Sequence, residues 1–145
     1  MPMAERTAST GWDGDLAHGN GTVTSGSGAL GELPVTWASR TERSDGKTSP
    51  EELVAAAHAS CFSMALAHGL TQAGNPPDHL EVSAKVTLDQ REGAPTVTTS
   101  ELTVRGRVPG IDQAAFEQAA NDAGQNCPIS RALQGVEISV RATLD

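Results

Sequence analysis

Hydrophobic and polar positions alternate most cleanly between Leu80 and Asp89. Val82, Ala84, Val86 and Leu88 fall on one side there, and Ser83, Lys85 and Thr87 on the other. A period of two marks a half-buried strand. Thr96 to Val108 repeats the pattern with Leu102 and Val104 among polar partners, Arg91 to Pro95 makes the turn between the two runs, and Val136 to Leu144 alternates again. The first 38 residues read as short strands between turns. One run ends at Trp12-Asp13-Gly14-Asp15; Gly19-Asn20-Gly21 precedes a second, Thr22-Val23-Thr24; a third spans Leu33 to Ala38. Ser39 to Thr48 is polar and charged and is expected as an exposed loop.

At Ser49-Pro50-Glu51-Glu52 the period changes. Ser49 is placed as an N-cap, Pro50 at the first helical position and Glu52 where a capping box needs an acid. From Leu53 to Ala67 the chain carries no Asp, Glu, Lys or Arg and is rich in alanine. A helix apolar on all sides is expected to be buried on all sides, and fifteen such residues are too few for a bilayer. A chain of 145 residues has limited material to surround it, so a second subunit is expected to help cover it. Further on, Asp112 caps a helix from Gln113 to Gly124, and Asn126-Cys127-Pro128 opens a short helix to Leu133 that Gly135 ends. The predicted class is α+β, with antiparallel strands around a long buried central helix, in a single domain over residues 1–145.

Charge narrows the function. Lys and Arg number 10 against 18 Asp and Glu, a net charge of −8, whereas nucleic acid and anionic membranes reward basic surfaces. Neither is expected as a partner. The N-terminal segment MPMAERTAST has no apolar stretch of the signal-peptide kind, so a cytoplasmic, reducing location is expected. Two cysteines are too few for a disulfide scaffold or a four-cysteine zinc site, and there both thiols stay available for chemistry. With aromatics at 3%, the core is expected to be built from Ala, Val, Leu and Ile.

Cys61 lies within the apolar helix, where a cysteine commonly packs as a small hydrophobe. Cys127 sits at the N-cap of a short helix, where unpaired N–H groups favour a thiolate. With 65 residues between them the two form no local Cys-x-x-Cys pair. Glu51 is in the first turn of the apolar helix, and Glu52's capping role leaves it free to orient another group. Arg40 lies in the polar segment, with Arg43 and Lys47 as competing cations. His58, three residues before Cys61, shares its helix face, which raises a Cys–His hydrolase or acyl transferase as one alternative. No Asn or Asp is evidently placed to orient that histidine, and a buried neutral histidine is the commoner case. His18, His68 and His79 are scattered without metal-ligand spacing, so neither metal nor cofactor is expected.

The stretch Thr48 to Leu66, TSPEELVAAAHASCFSMAL, resembles the cysteine-helix signature of the OsmC/Ohr family of peroxide-reducing proteins. Trp12-Asp-Gly-Asp15, Gly19-Asn-Gly-Thr22, Val108-Pro-Gly-Ile-Asp112 and Asn126-Cys-Pro-Ile-Ser130 follow in the matching order, over nearly the whole chain; the Pro50-Glu-Glu-Leu53 to His58-Ala-Ser-Cys-Phe62 piece and the Cys127-Pro-Ile-Ser130 piece resemble the OsmC branch more than the Ohr branch. The resemblance implies an intertwined homodimer that reduces organic hydroperoxides, recycled by a dithiol, with dihydrolipoyl groups of a lipoylated protein or small thiols as candidates. It makes Cys61 the peroxidatic and Cys127 the resolving cysteine, closing a Cys61–Cys127 disulfide. Glu51 matches the acid after the helix-opening proline, and Arg40 the arginine that pairs with it, an assignment open between Arg40 and Arg43. A non-catalytic dimer binding an apolar ligand is the alternative from another class.

Spacing adds one expectation. Ten residues of helix between Glu51 and Cys61 amount to about 15 Å, too far for one Arg–Glu–Cys cluster along a straight helix. Antiparallel packing of two central helices across a two-fold axis would bring Glu51 of one to Cys61 of the other. Two composite sites per dimer are expected, with Cys61 and Cys127 from one chain and Arg40 and Glu51 from its partner.

Overall fold

Gly21 lies across from Trp12 in the first hairpin, and a Cβ there would come within 2.8 Å of the Trp12 ring and 3.0 Å of Val35. Only glycine allows that approach. It fixes the centre of an antiparallel sheet of β1 (Ala8–Asp13), β2 (Asn20–Ser25) and β3 (Leu33–Val35), ordered β1-β2-β3. The computed structural model describes residues 1–145, in two units, Met1–Leu53 and Val54–Asp145, and this sheet belongs to the first.

The third strand stops short of Ala38. Thr36 instead caps a short helix, α1 (Trp37–Thr41): its Oγ1 accepts from Ser39 N–H at 3.0 Å, and Ser39 Oγ accepts from Thr36 N–H at 2.9 Å. The reciprocal cap makes helix of the first residues expected as loop, and Arg40 rides in its last turn. Ser39 Oγ also donates to the Thr48 carbonyl at 2.9 Å, tying α1 to the segment before the next helix.

That helix, α2 (Pro50–Gln72), begins where the sequence places it, with Ser49 Oγ accepting from Glu52 N–H at 3.1 Å. The Glu52 carboxylate accepts from Thr48 Oγ1 at 2.8 Å instead of reaching back to the Ser49 backbone. The expectation of burial on all sides is not met within one chain. Its buried positions after the first turn are His58, Phe62, Leu66 and Leu70, one stripe at a spacing of four, while Met64 is 67% exposed. At 23 residues α2 is also longer than the uncharged core suggested, and it meets a length-and-hydropathy test for a membrane span. Its buried stripe, including a hydrogen-bonded histidine, packs against protein.

The second unit sets that stripe on the sheet β4 (His79–Arg91), β5 (Ala94–Arg107), β6 (Glu137–Leu144), in that order. β4 and β5 form an antiparallel hairpin whose turn is only Glu92-Gly93, both left-handed at φ 53° and 78°, a conformation that suits the twist of the strands. β6 departs from the antiparallel expectation and runs parallel to β5, from Thr99 opposite Glu137 to Gly106 opposite Leu144. The chain returns to the starting edge through α3 (Gln113–Asn126) and α4 (Pro128–Ala132), the kind of crossover a parallel neighbour requires. Asp112 caps α3 as expected, accepting from Ala115 N–H at 2.9 Å. Core residues come from α2 (Phe62, Leu66, Leu70), β5 (Leu102, Val104) and α3 (Phe116, Ala120, Ala123). Aliphatic side chains dominate, yet both phenylalanines of the protein are fully buried at its centre.

Candidate active site

Pro128 sets the position of Cys127. A residue before proline is driven out of the helical region, so α3 must end and α4 can begin only beyond it. Cys127 adopts φ −63°, ψ 143° and serves at once as C-cap of α3 and N-cap of α4. Its sulfur accepts from Ser130 N–H at 3.4 Å and lies 3.1 Å from Ser130 Oγ. The residue is 1% exposed.

Cys61 projects from the partly covered side of α2 and is half-buried. Both cysteines are free thiols, and Cys127 neighbours Cys61. Burial pushes the Cys61 thiol up; the Ile129 backbone opposes this, and the neighbouring Cys127 raises it further. Within residues 54–145 no cation holds Cys61 as thiolate. An alanine-lined groove of about 660 Å³, bordered by Ala65, Gly69, Ala119 and Ala123, reaches Cys127.

His58 is fully buried one turn before Cys61, and burial pushes its pKa down, which keeps the ring neutral. Its Nδ1 lies 2.6 Å from Ser100 Oγ and its Nε2 2.8 Å from Ser130 Oγ. Both ring nitrogens are therefore occupied by serines, leaving neither as a base for Cys61. Ser100 and Ser130 were not among the residues singled out in sequence. Ser130 stood inside the Cys-Pro-Ile-Ser motif, three residues after its cysteine, at the spacing of a side chain that meets a helix cap.

In the first unit Arg40 and Glu51 meet in a bidentate pair, Nε to Oε1 at 3.0 Å and Nη2 to Oε2 at 2.9 Å. Glu51 is buried, and the guanidinium lies 6.0 Å from the Trp37 ring centroid. Arg43 pairs instead with Asp45 at 3.5 Å, both well exposed, so Arg40 is the arginine that engages Glu51. Beside the pair, Trp12, Val23, Val35, Trp37 and Leu53 line an apolar cleft of about 330 Å³ that Arg40 also borders. No three His, Cys, Asp or Glu side chains gather in a geometry that could hold a metal ion.

Residues 43–141 match the family described as OsmC-like protein. The chain is 41% identical over 123 residues to the peroxiredoxin OsmC of Escherichia coli strain K12, covering 85% of each protein. It is 33% identical over 100 residues to an organic hydroperoxide resistance protein of Xanthomonas axonopodis pv. citri strain 306, covering 67% of this chain and 66% of that one. The crystal structure of the organic hydroperoxide resistance protein OhrB of Bacillus subtilis superposes with a TM-score of 0.72 at 28% identity, covering 96% of this chain and 98% of the other.

Proposed function

The chain belongs to the OsmC-like protein family, and we propose that it is a thiol peroxidase that reduces organic hydroperoxides to alcohols through Cys61 and Cys127. The observation that carries this reading is the nearness of two free thiols, one half-buried and one fully buried. The Cys61 thiolate attacks the outer peroxide oxygen, the O–O bond breaks, and the alkoxide leaves as alcohol once protonated. Cys61 is left as a sulfenic acid. Cys127 then condenses with it, releasing water and closing a disulfide before further oxidation. A dithiol reopens the disulfide by exchange and is itself oxidised.

A thiol pushed up by burial is a poor nucleophile, because the thiolate is the reacting form. Cys61 needs a cation, and in this proposal Arg40 supplies it, held in plane by Glu51. The guanidinium also stabilises the charge that develops on the peroxide oxygens. By helix rise Glu51 and Cys61 are about 15 Å apart along α2. We therefore assign the Arg40–Glu51 pair of each site to a second chain packed antiparallel across α2. The alanine-rich, incompletely covered side of α2 suits that packing. The apolar cleft beside Arg40 favours an organic hydroperoxide over hydrogen peroxide. Treatment of residues 1–145 as one functional domain and a cytoplasmic location both belong to this proposal.

The test is intact mass and free-thiol count before and after one equivalent of cumene hydroperoxide. Loss of both thiols with an intramolecular Cys61–Cys127 crosslink is the expected result; two untouched thiols would refute it. The shared site is tested by mixing Cys61→Ser and Arg40→Met chains, each inactive alone. In a two-fold dimer with shared sites, random mixing regenerates one intact site in half of the dimers, or about a quarter of wild-type activity. Sites built within one chain would give none.

A further inference from the structure

On the peroxidase reading above, we propose that Ser130 and His58 form a proton relay for Cys127, taking its proton as it attacks the Cys61 sulfenic acid and passing it to the hydroxide that leaves. Cys127 must lose a proton to act as a nucleophile, yet it is 1% exposed. His58 and Ser100 are fully buried beside it, and Ser130 nearly so. The alanine-lined groove reaches Cys127 but leaves its sulfur almost fully covered, and the polar side chain within hydrogen-bond distance of that sulfur is Ser130.

One line of hydrogen bonds leaves the sulfur. Cys127 Sγ is 3.1 Å from Ser130 Oγ, Ser130 Oγ is 2.8 Å from His58 Nε2, and His58 Nδ1 is 2.6 Å from Ser100 Oγ. A neutral imidazole has one N–H and one bare nitrogen. With Nδ1–H donating to Ser100, Nε2 accepts the Ser130 hydroxyl proton, and the Ser130 oxygen is left to accept from the Cys127 thiol. All the protons then point from sulfur toward imidazole. Burial keeps the ring neutral at rest and so ready to accept. A structural filler would need only an amide here; an imidazole can in addition hold a proton.

The steps balance. The Cys127 sulfur attacks the Cys61 sulfur and the S–O bond of the sulfenic acid breaks. The Cys127 proton passes to Ser130 as the Ser130 proton passes to His58 Nε2. The imidazolium returns its proton through Ser130 to the departing hydroxide, so the net products are the disulfide and water. During recycling the dithiol attacks Cys61, the more accessible sulfur, and Cys127 departs as a thiolate that takes up, along the same line, the proton given up by the attacking dithiol. The dithiol's second thiol then frees Cys61, and the dithiol leaves as a disulfide. Only Ser130 touches the reacting thiol; His58 is a positioning residue that holds the proton one bond further away.

A single-turnover experiment with one equivalent of cumene hydroperoxide separates the two oxidation steps. Sulfenic acid is trapped with dimedone and disulfide is followed by mass. In His58→Gln and Ser130→Ala, disulfide closure slows by about a hundredfold or more, the usual weight of general acid–base help, and dimedone captures Cys61. Ser130→Thr restores the hydroxyl and brings closure back to within about tenfold of wild type. Closure at the wild-type rate in Ser130→Ala or in folded His58→Gln overturns the relay. If His58→Gln does not fold, the Ser130→Ala and Ser130→Thr pair decides alone. A wild-type Cys61 that cumene hydroperoxide leaves unoxidised instead removes the peroxidase reading, and the relay with it.

Discussion

Replacing Glu51 by Gln tests whether the Arg40–Glu51 pair orients a working guanidinium. The pair makes two parallel bonds, 3.0 and 2.9 Å long, to a carboxylate whose side chain is 10% exposed, from an arginine that is 32% exposed. Glutamine keeps the length and volume but offers one neutral oxygen and one NH₂. One N–H···O bond becomes two opposed donors, and the other loses its charge. A hydrogen bond to a charged group contributes about 1.5–3 kcal/mol. The open side of Arg40 screens part of that, so the expected loss of folding stability is about 1–2 kcal/mol. The effect on rate follows from orientation: with about 1.4 kcal/mol per tenfold, losing comparable stabilisation at the peroxide slows Cys61 oxidation by about fivefold to thirtyfold. Stopped-flow oxidation by cumene hydroperoxide measures the rate, and urea unfolding measures the stability. A folded Glu51→Gln protein that oxidises Cys61 at the wild-type rate would refute the role given to the pair.

Other consequences follow from single contacts. Gly106→Ala would set its Cβ 2.5 Å from Phe116 Cζ and 2.7 Å from Cε1, against a rigid ring in a closed core. A loss of about 1–3 kcal/mol is expected in denaturant unfolding, as for other overpacked cores. Because burial raises the Cys61 thiol, its thiolate is scarce at neutral pH without a cation. In Arg40→Met, alkylation of Cys61 by iodoacetamide should therefore climb about tenfold per pH unit past about pH 9; a plateau near neutrality would contradict it. His58 has its folded-state pKa depressed by burial, so the unfolded chain takes up the proton first. Stability is then full above about pH 6.5 and falls as pH drops below it, by up to about 1.4 kcal/mol per unit. Urea midpoints at pH 7 and pH 5 should show this in wild type and less of it in His58→Gln.

The elements legible in sequence were those whose cause is local. β4 alternates because one face of the hairpin meets the core, and Ser49 and Asp112 announce helices because their oxygens cap the first turn. The direction of β6 was not legible. Its strict alternation serves a parallel neighbour as well as an antiparallel one, and only the crossover through α3 and α4 decides. α1 escaped because Ser39 closes its capping box where a Glu or Gln is the usual sign. The one-sided burial of α2 escaped for another reason: composition records every surface a helix covers, including any buried only in assembly. For the site, both cysteines and Glu51 stood in readable motifs. Choosing Arg40 over Arg43 took the geometry of α1. Ser100 lies 42 residues from His58 in sequence and Ser130 lies 72, so tertiary packing alone joins them.

The unequal burial of the two sulfurs gives the proposed cycle its direction. Of the two, a hydroperoxide meets Cys61 first, because Cys127 is almost wholly covered at the junction of α3 and α4. Protection from peroxide leaves Cys127 reduced while Cys61 is oxidised, which a resolving thiol requires. The same burial would strand Cys127 as an unreactive thiol if no group could remove its proton, and a hydrophobic pocket with two cysteines would then stop at sulfenic acid. Sequestration and reactivity are reconciled only if the buried side carries its own polar line, and behind Cys127 that line is Ser130, His58 and Ser100. On the open side Cys61 faces the opposite need, a charge from outside its own unit. In the proposed cycle that asymmetry gives one thiol neutral hydroxyls and an imidazole, and the other an arginine fixed on a carboxylate.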